Sequence, residues 1–281
     1  MTTRLLVTGG TGYLGSELLR REPAVGTWLT TEPPARDHWL RLDVRDSAAV
    51  RRELERMRPG AVIHTAYRQD DRATTLDGAG AVAEAAAAVG ARLVHVSSDV
   101  IFDGTKPGPY TEEDPPSPIT DYGRAKAEAE HIVRSVHPGA LVVRTSLIYG
   151  GREPSRHERL AWEAAEGRGG MTFFEDELRT PVLVGELASA LLELANRDEE
   201  GILHVAGPDT VSRYEFAFLL AQAHGLPGER ILRASLPGSD LARPANCALD
   251  SSRARALLRT QLSGVLEYAA GRSAAAGGPP P

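Results

Sequence analysis

An α/β fold with a doubly wound parallel sheet is what this sequence predicts, and three observations carry that reading. The chain opens on an apolar run, Leu5-Leu6-Val7-Thr8, that leads into Gly9-Gly10-Thr11-Gly12-Tyr13-Leu14-Gly15 and then a leucine-rich helical stretch. Apolar runs and segments of helical spacing then alternate to about residue 150, the pattern of parallel strands joined by crossover helices. With 281 residues, 42% hydrophobic and 25% charged, the chain has the size and composition to bury a large core. The expected organisation is a Rossmann-type core over 1–150, a small, mainly substrate-binding C-terminal part over 151–272 with elements returning to the core, and a tail over 273–281 without structure.

The glycines come first. Gly9, Gly12 and Gly15, with residues 10, 12 and 15 also fitting Gly-x-Gly-x-x-Gly, let the backbone turn sharply and approach a pyrophosphate. The following helix points unpaired N–H groups at such an anion. A helix from Ser16 to Arg21 breaks at Pro23, and Val25 to Thr30 reads as the second strand, ending in the Pro33-Pro34 turn. Leu40 to Val44 is a short strand end, Ser47 looks like the cap of a helix reaching Arg58, and Ala61 to Ala66 is a buried strand. An alanine-dense helix over Thr75 to Val89, a strand over Arg92 to Ser98, a long helix over Tyr122 to Val136 and a strand over Ala140 to Arg144 continue the alternation. Beyond Gly150 it loosens into helices at Glu158 to Glu166, Val184 to Ala195 and Tyr214 to His224, with short strands near Met171 to Phe174 and Ile202 to Val205. The end of the chain, Gly-Gly-Pro-Pro-Pro, has nothing to bury.

Composition excludes several functions. The net charge of -6 is spread over mixed-sign sequence without a basic block, so neither nucleic acid nor an anionic membrane is an expected partner. Cys247 is the sole cysteine, which fits a reducing compartment. No apolar run approaches the ~18 residues a membrane span needs and no h-region opens the chain, so a cytoplasmic protein is expected. The histidines at 131, 137, 157 and 224 show no metal spacing, and His204 reads as a satisfied interior histidine, so no metal is expected.

Tyr122-Gly123-Arg124-Ala125-Lys126 places Tyr and Lys one turn apart on one face of a helix. An ammonium within ~4 Å of a phenol, at an effective dielectric of ~20, favours phenolate by ~4 kcal/mol before screening and desolvation, which makes the tyrosine a workable general acid. Ser98 ends an apolar strand, and strand carboxyl ends converge on the crevice that the glycine turn faces. A carbonyl oxygen held by both hydroxyls beside a nicotinamide ring can accept hydride at carbon and a proton at oxygen.

The combination resembles the extended short-chain dehydrogenase/reductase family, and within it the dTDP-4-dehydrorhamnose reductase group of sugar-nucleotide reductases. The resemblance runs from about Leu5 to Asp250, through His64-Thr65-Ala66, Ser97-Ser98-Asp99-Val100-Ile101-Phe102-Asp103-Gly104, Arg144-Thr145-Ser146-Leu147-Ile148-Tyr149-Gly150, Arg179-Thr180-Pro181 and Arg243-Pro244. It implies that Tyr122 protonates the reduced carbonyl, that Lys126 tunes it and holds the nicotinamide ribose, and that Ser98 orients the carbonyl. By the same resemblance Gly9, Gly12 and Gly15 hold the pyrophosphate, Tyr13 and Leu14 also bind the cofactor, Asp43 and Val44 contact adenine, and Ala66 lets the cofactor pass over the sheet. Asp99, Val100, Leu147, Arg179 and Arg243 would line the substrate cleft, the two arginines suiting a pyrophosphate-bearing substrate. Val100 and Leu147 stand where the group usually has aromatics, and Asp77 stands for its usual helix asparagine, as a relay carboxylate or an exposed residue.

Glu32 favours the ribose 2′-OH of NAD and Arg36 the 2′-phosphate of NADP, so the residues leave the cofactor open. Family habit tilts toward NADPH over NADH and leaves a homodimer open. The expected function is NAD(P)H-dependent reduction of a keto group on a nucleotide-activated deoxysugar. The alternatives are a non-catalytic cofactor-binding subunit of a partner enzyme, and a sugar-nucleotide epimerase or dehydratase.

Overall fold

The computed structural model describes residues 5–33, 37–237 and 242–276. Seven parallel strands form the central sheet: β1 (Leu5–Thr8), β2 (Val25–Trp28), β3 (Trp39–Arg41), β4 (Ala61–His64), β5 (Arg92–Ser98), β6 (Leu141–Thr145) and β7 (Gly201–His204). Their spatial order, β7-β6-β5-β4-β1-β2-β3, reverses direction at β1, so a crevice opens above the carboxyl ends of β1 and β4.

The sheet is buried on both faces. Leu5, Val7, Ile63, Val94, Val96, Leu141, Val143 and Leu203 pack on helices α1 (Tyr13–Arg21) and α6 (Val184–Ala195). Leu6, Val62, Leu93 and Val142 face the opposite way, onto α2 (Ser47–Met57), α3 (Gly78–Val89) and α4 (Asp121–Val136). Each fully buried Leu, Val or Ile in these layers contributes roughly 1.5–3 kcal/mol of burial free energy. A separate core gathers Ala161, Ala164 and Ala165 of α5 (Arg156–Ala165), Phe216, Ala217 and Leu220 of α7 (Arg213–Gln222), and Tyr149 and Phe173. This smaller unit overhangs the crevice, while β7 returns the chain to the main sheet.

Several boundaries move. Asp46, not Ser47, caps α2, its carboxylate accepting from the Ala49 N–H at 3.0 Å. A π-helical turn, Ala73–Asp77, precedes α3 and directs Thr74 and Thr75 inward, with Asp77 left exposed. After α8 (Ser252–Leu257), the last helix, α9 (Val265–Ala276), takes in the first four residues of the stretch read as an unstructured tail, and 277–281 lie outside the described residues. Among the described residues, no helix is long and apolar enough to cross a membrane.

Candidate active site

The glycine turn forms because only glycine fits it. Gly9 has φ of +70°, a left-handed backbone that side chains disfavour, and a Cβ on it would meet the Ala66 Cα at 2.8 Å. A Cβ on Gly15 would lie 2.2 Å from the Gly9 carbonyl oxygen, so α1 could not start this close to β1. The Gly9 N–H donates to the Thr27 hydroxyl and the Gly10 N–H to the Thr27 carbonyl, which ties the turn to β2. The first N–H groups of α1 are left without intrahelical partners and open toward the crevice.

A cavity of about 350 Å³ lies at this crevice, lined by Gly12 to Gly15, by Ser98, Asp99 and Val100 after β5, by Tyr122 and Lys126 of α4, and by Leu147. Helix α4 begins where the Thr120 hydroxyl accepts from the Gly123 N–H, which sets Tyr122 on its first turn and Lys126 one turn later. The three residues expected to carry chemistry therefore share one wall. The Ser98 hydroxyl donates to Asp99 Oδ1 at 3.3 Å and accepts a long contact from the Val100 N–H at 3.5 Å. Asp99 is itself buried, accepting from the Ser146 hydroxyl at 2.6 Å beside Arg179 Nε at 3.6 Å, and burial raises its carboxyl.

Electrostatics correct one expectation. Burial dominates at Tyr122 and holds its phenol well above the usual range; Tyr67 and Asp99 push the same way and Ser98 opposes them. Tyr122 is therefore protonated at neutral pH, the form that donates a proton. Lys126, almost fully buried, donates to the Val96 carbonyl at 2.7 Å, and burial lowers its ammonium to about 8 while Glu130 pulls it upward.

Position sets several other expected residues apart from this cavity. Arg179 is 2% exposed and spends its guanidinium on Glu177 Oε1 at 3.0 Å, Asp99, and the Leu178 and Pro244 carbonyls, so it shapes the wall from behind. Arg243 pairs with Glu177 Oε2 at 3.2 Å over the Phe174 ring. Neither lines the cavity. Asp43 accepts from the Arg45 N–H and guanidinium as a pre-helix turn, and Val44 is buried against the space beside Gly78. Both lie off the wall, as does exposed Asp77. Ala66 lies against the glycine turn, whose close approach its small side chain permits.

The sequence reading missed Tyr67, Arg156 and His157, which also line the cavity. The Tyr67 ring lies 5.7 Å from that of Tyr122 and under Lys126 Nζ at 5.2 Å. Its signal was the apolar strand β4, whose carboxyl end must reach the same crevice. Burial lowers His157 to about 3, so it is neutral, and Arg213 Nη1 lies 3.5 Å from its Nδ1. His204 is an interior histidine as read, its Nδ1 at 3.2 Å from the Tyr110 carbonyl and its Nε2 at 3.4 Å from Arg144. A second cavity of about 750 Å³ lies behind the glycine turn and is lined by Gly10, Thr11, Glu32 and Trp39; Arg36 lies outside the described residues. Among the described residues, no group of three or more His, Cys, Asp or Glu could hold a metal ion.

A family model described as the RmlD substrate binding domain matches residues 3–268. The chain belongs to that family. Among relatives of this RmlD-type chain, a mouse protein named methionine adenosyltransferase 2 subunit beta is 31% identical over 278 residues, covering 90% of this chain and 82% of its own. A dTDP-4-dehydrorhamnose reductase of Mycobacterium tuberculosis is 33% identical over 257 residues, covering 86% and 82%. The structure of dTDP-4-dehydrorhamnose reductase from Bacillus anthracis in complex with NADP superposes with a TM-score of 0.82 at 25% identity, covering 96% of this chain and 98% of that one. The glycine cradle, the open N-terminus of α1 and the wall formed by Tyr122 and buried Lys126 fit a nicotinamide dinucleotide.

Proposed function

We propose that this chain is an NAD(P)-dependent reductase that converts a keto group on a nucleotide-activated deoxysugar to an alcohol. The observation that carries the reading is the convergence of Ser98, Tyr122 and Lys126 on one wall of a cavity whose other edge is the glycine turn. The reductase relatives from Mycobacterium tuberculosis and Bacillus anthracis support the substrate class.

The reduced nicotinamide supplies the hydride when bound. The hydroxyls of Ser98 and Tyr122 hold the carbonyl oxygen, and Asp99 keeps the Ser98 side chain turned to the wall. As charge grows on that oxygen, Tyr122 Oη gives it a proton, and Lys126 stabilises the phenolate left behind. Tyr13 locks the smaller unit over the crevice by accepting the Gly151 N–H at 2.8 Å. Arg156 lines the cavity and pairs with no carboxylate among the described residues, so its guanidinium is placed to take the substrate's diphosphate. Val100 and Leu147 make the sugar end of the cavity aliphatic. NADPH is favoured over NADH on family grounds.

Replacing Tyr122 by Phe tests the reading. Turnover with 4-keto sugar nucleotides, followed at 340 nm, should fall by about 10²–10⁴-fold, with dinucleotide affinity within about twofold of wild type. Undiminished turnover in the variant, or a wild-type chain that neither binds nor oxidises either cofactor, overturns it. The likeness to the methionine adenosyltransferase subunit supports a second reading, a non-catalytic cofactor-binding subunit. A larger enzyme that co-purifies with the chain, combined with absent turnover, would favour that reading.

A further inference from the structure

Beneath the catalytic wall, one buried carboxylate is tied to two strands and a helix at once. Glu130 lies one turn beyond Lys126 on α4 and is 3% exposed. Its two oxygens accept from Arg144 of β6, Nη2 at 2.8 Å and Nε at 3.2 Å, and Oε1 also accepts from the Ser97 hydroxyl of β5 at 2.5 Å. Arg144 is 1% exposed and leans on the Phe102 ring at 5.3 Å, with His204 at its far side. Such a pair is costly to desolvate and secures itself only through fixed geometry and complete hydrogen bonding. Ser97 and Arg144 face each other in the β5–β6 register, immediately before the cavity-lining Ser98 and Thr145.

We propose that Glu130 is a positioning residue of the reductase site: clamped by Arg144 and Ser97, its carboxylate sets where α4 sits on β5 and keeps Lys126 an ammonium beside Tyr122. Among the described groups that act on Lys126, Glu130 is the anion. Tyr67, from the segment after β4, lies under Lys126 and Tyr122 of α4 lines the same cavity, while His64 of β4 and His95 of β5 are both held neutral by burial. Arg144 of β6 adds a cation behind Glu130.

The sequence makes the experiment direct, because Lys106 and Lys126 are its two lysines. Lysine labelled at the side chain with ¹³C and ¹⁵N gives two titration curves by NMR in ligand-free protein, and Lys106→Arg assigns them. In Glu130→Gln, Lys126 should titrate about one unit lower, a tenfold change in its charge ratio. In Arg144→Gln, which unmasks the carboxylate, it should titrate higher. The alkaline limb of kcat/KM, which reports the free enzyme, should move with it in Glu130→Gln. The loss should reach about fivefold near pH 8 and vanish near pH 6, where both proteins carry the ammonium. A merely structural role predicts a loss equal at every pH and no opposed shifts. An unmoved Lys126 in a folded variant, or shifts of one sign in both, overturns the proposal; if one variant fails to fold, the direction in the other decides. The inference rests on the reductase reading for its bearing on turnover, whereas the titration needs no substrate. A shifted Lys126 without turnover therefore removes that reading alone.

Discussion

Lysine is rare in this chain: Lys106 and Lys126 stand among 32 Lys and Arg residues. At the wall proposed as catalytic the choice has a physical reason, since a compact ammonium can titrate and would hold a ribose hydroxyl, whereas a planar guanidinium stays charged and needs room for its fork. Lys126→Arg should therefore lower kcat at least tenfold, with the pH profile losing the alkaline limb set near 8, measured by steady-state kinetics. Gly15 is held as tightly by sterics as Lys126 is by charge. Gly15→Ala should cost about 1–3 kcal/mol of stability and weaken dinucleotide binding, because its new methyl must displace the Gly9 carbonyl 2.2 Å away; thermal melts with and without NADPH check both. Spacing made Tyr122 and Lys126 readable, since one helix turn fixes their relation. It could not reveal that Arg179 is spent on Glu177 and Asp99, because the Asp99 contact joins segments 80 residues apart and only the packed fold brings them together.

At the scale of elements, strands were legible because burial on both faces demands continuous apolar runs, as in Ala61–His64 and Leu141–Thr145. Caps were less so: Asp46 and Ser47 are adjacent and both chemically fit, and only the path of the chain decides which side chain meets an N–H. The helix that brings Arg156 and His157 to the cavity shows what a cap does for function. Ser155 accepts from the Glu158 N–H at 3.1 Å while Glu158 accepts from the Ser155 N–H at 2.8 Å and from Gly150, so one box fixes the start of α5 and the end of the preceding loop. Ser155→Ala should cost about 1 kcal/mol. If α5 presents Arg156 to the substrate, KM for the sugar nucleotide should rise more than kcat falls; an unchanged KM would show that α5 frames the cavity without touching the ligand.

For the whole molecule, the polar layer under the site sets how the fold responds to acid. His64, His95 and His204 are at most 1% exposed; burial brings His64 and His204 down to about 3 and His95 well below its ordinary value. His157, lowered to about 3, joins them, and the unfolded chain takes up these four protons as pH falls through about 6.5, while the folded chain does not. Stability is therefore full above that value and falls as pH drops toward 3, at about 1.4 kcal/mol per pH unit for each histidine. The four together cost about 5–6 kcal/mol per unit, against a total stability of about 5–15 kcal/mol for a typical protein. The carboxylates held low by their partners, Glu17 and Asp43 among them, begin to contribute only nearer 4. Urea midpoints measured from pH 7 to 4.5 should thus decline steeply before the carboxylates titrate. His204→Gln, which can keep a donor and an acceptor for Tyr110 and Arg144, should remove about a quarter of that slope, and a slope equal to wild type would mean that His204 takes up its proton without unfolding the sheet edge it joins.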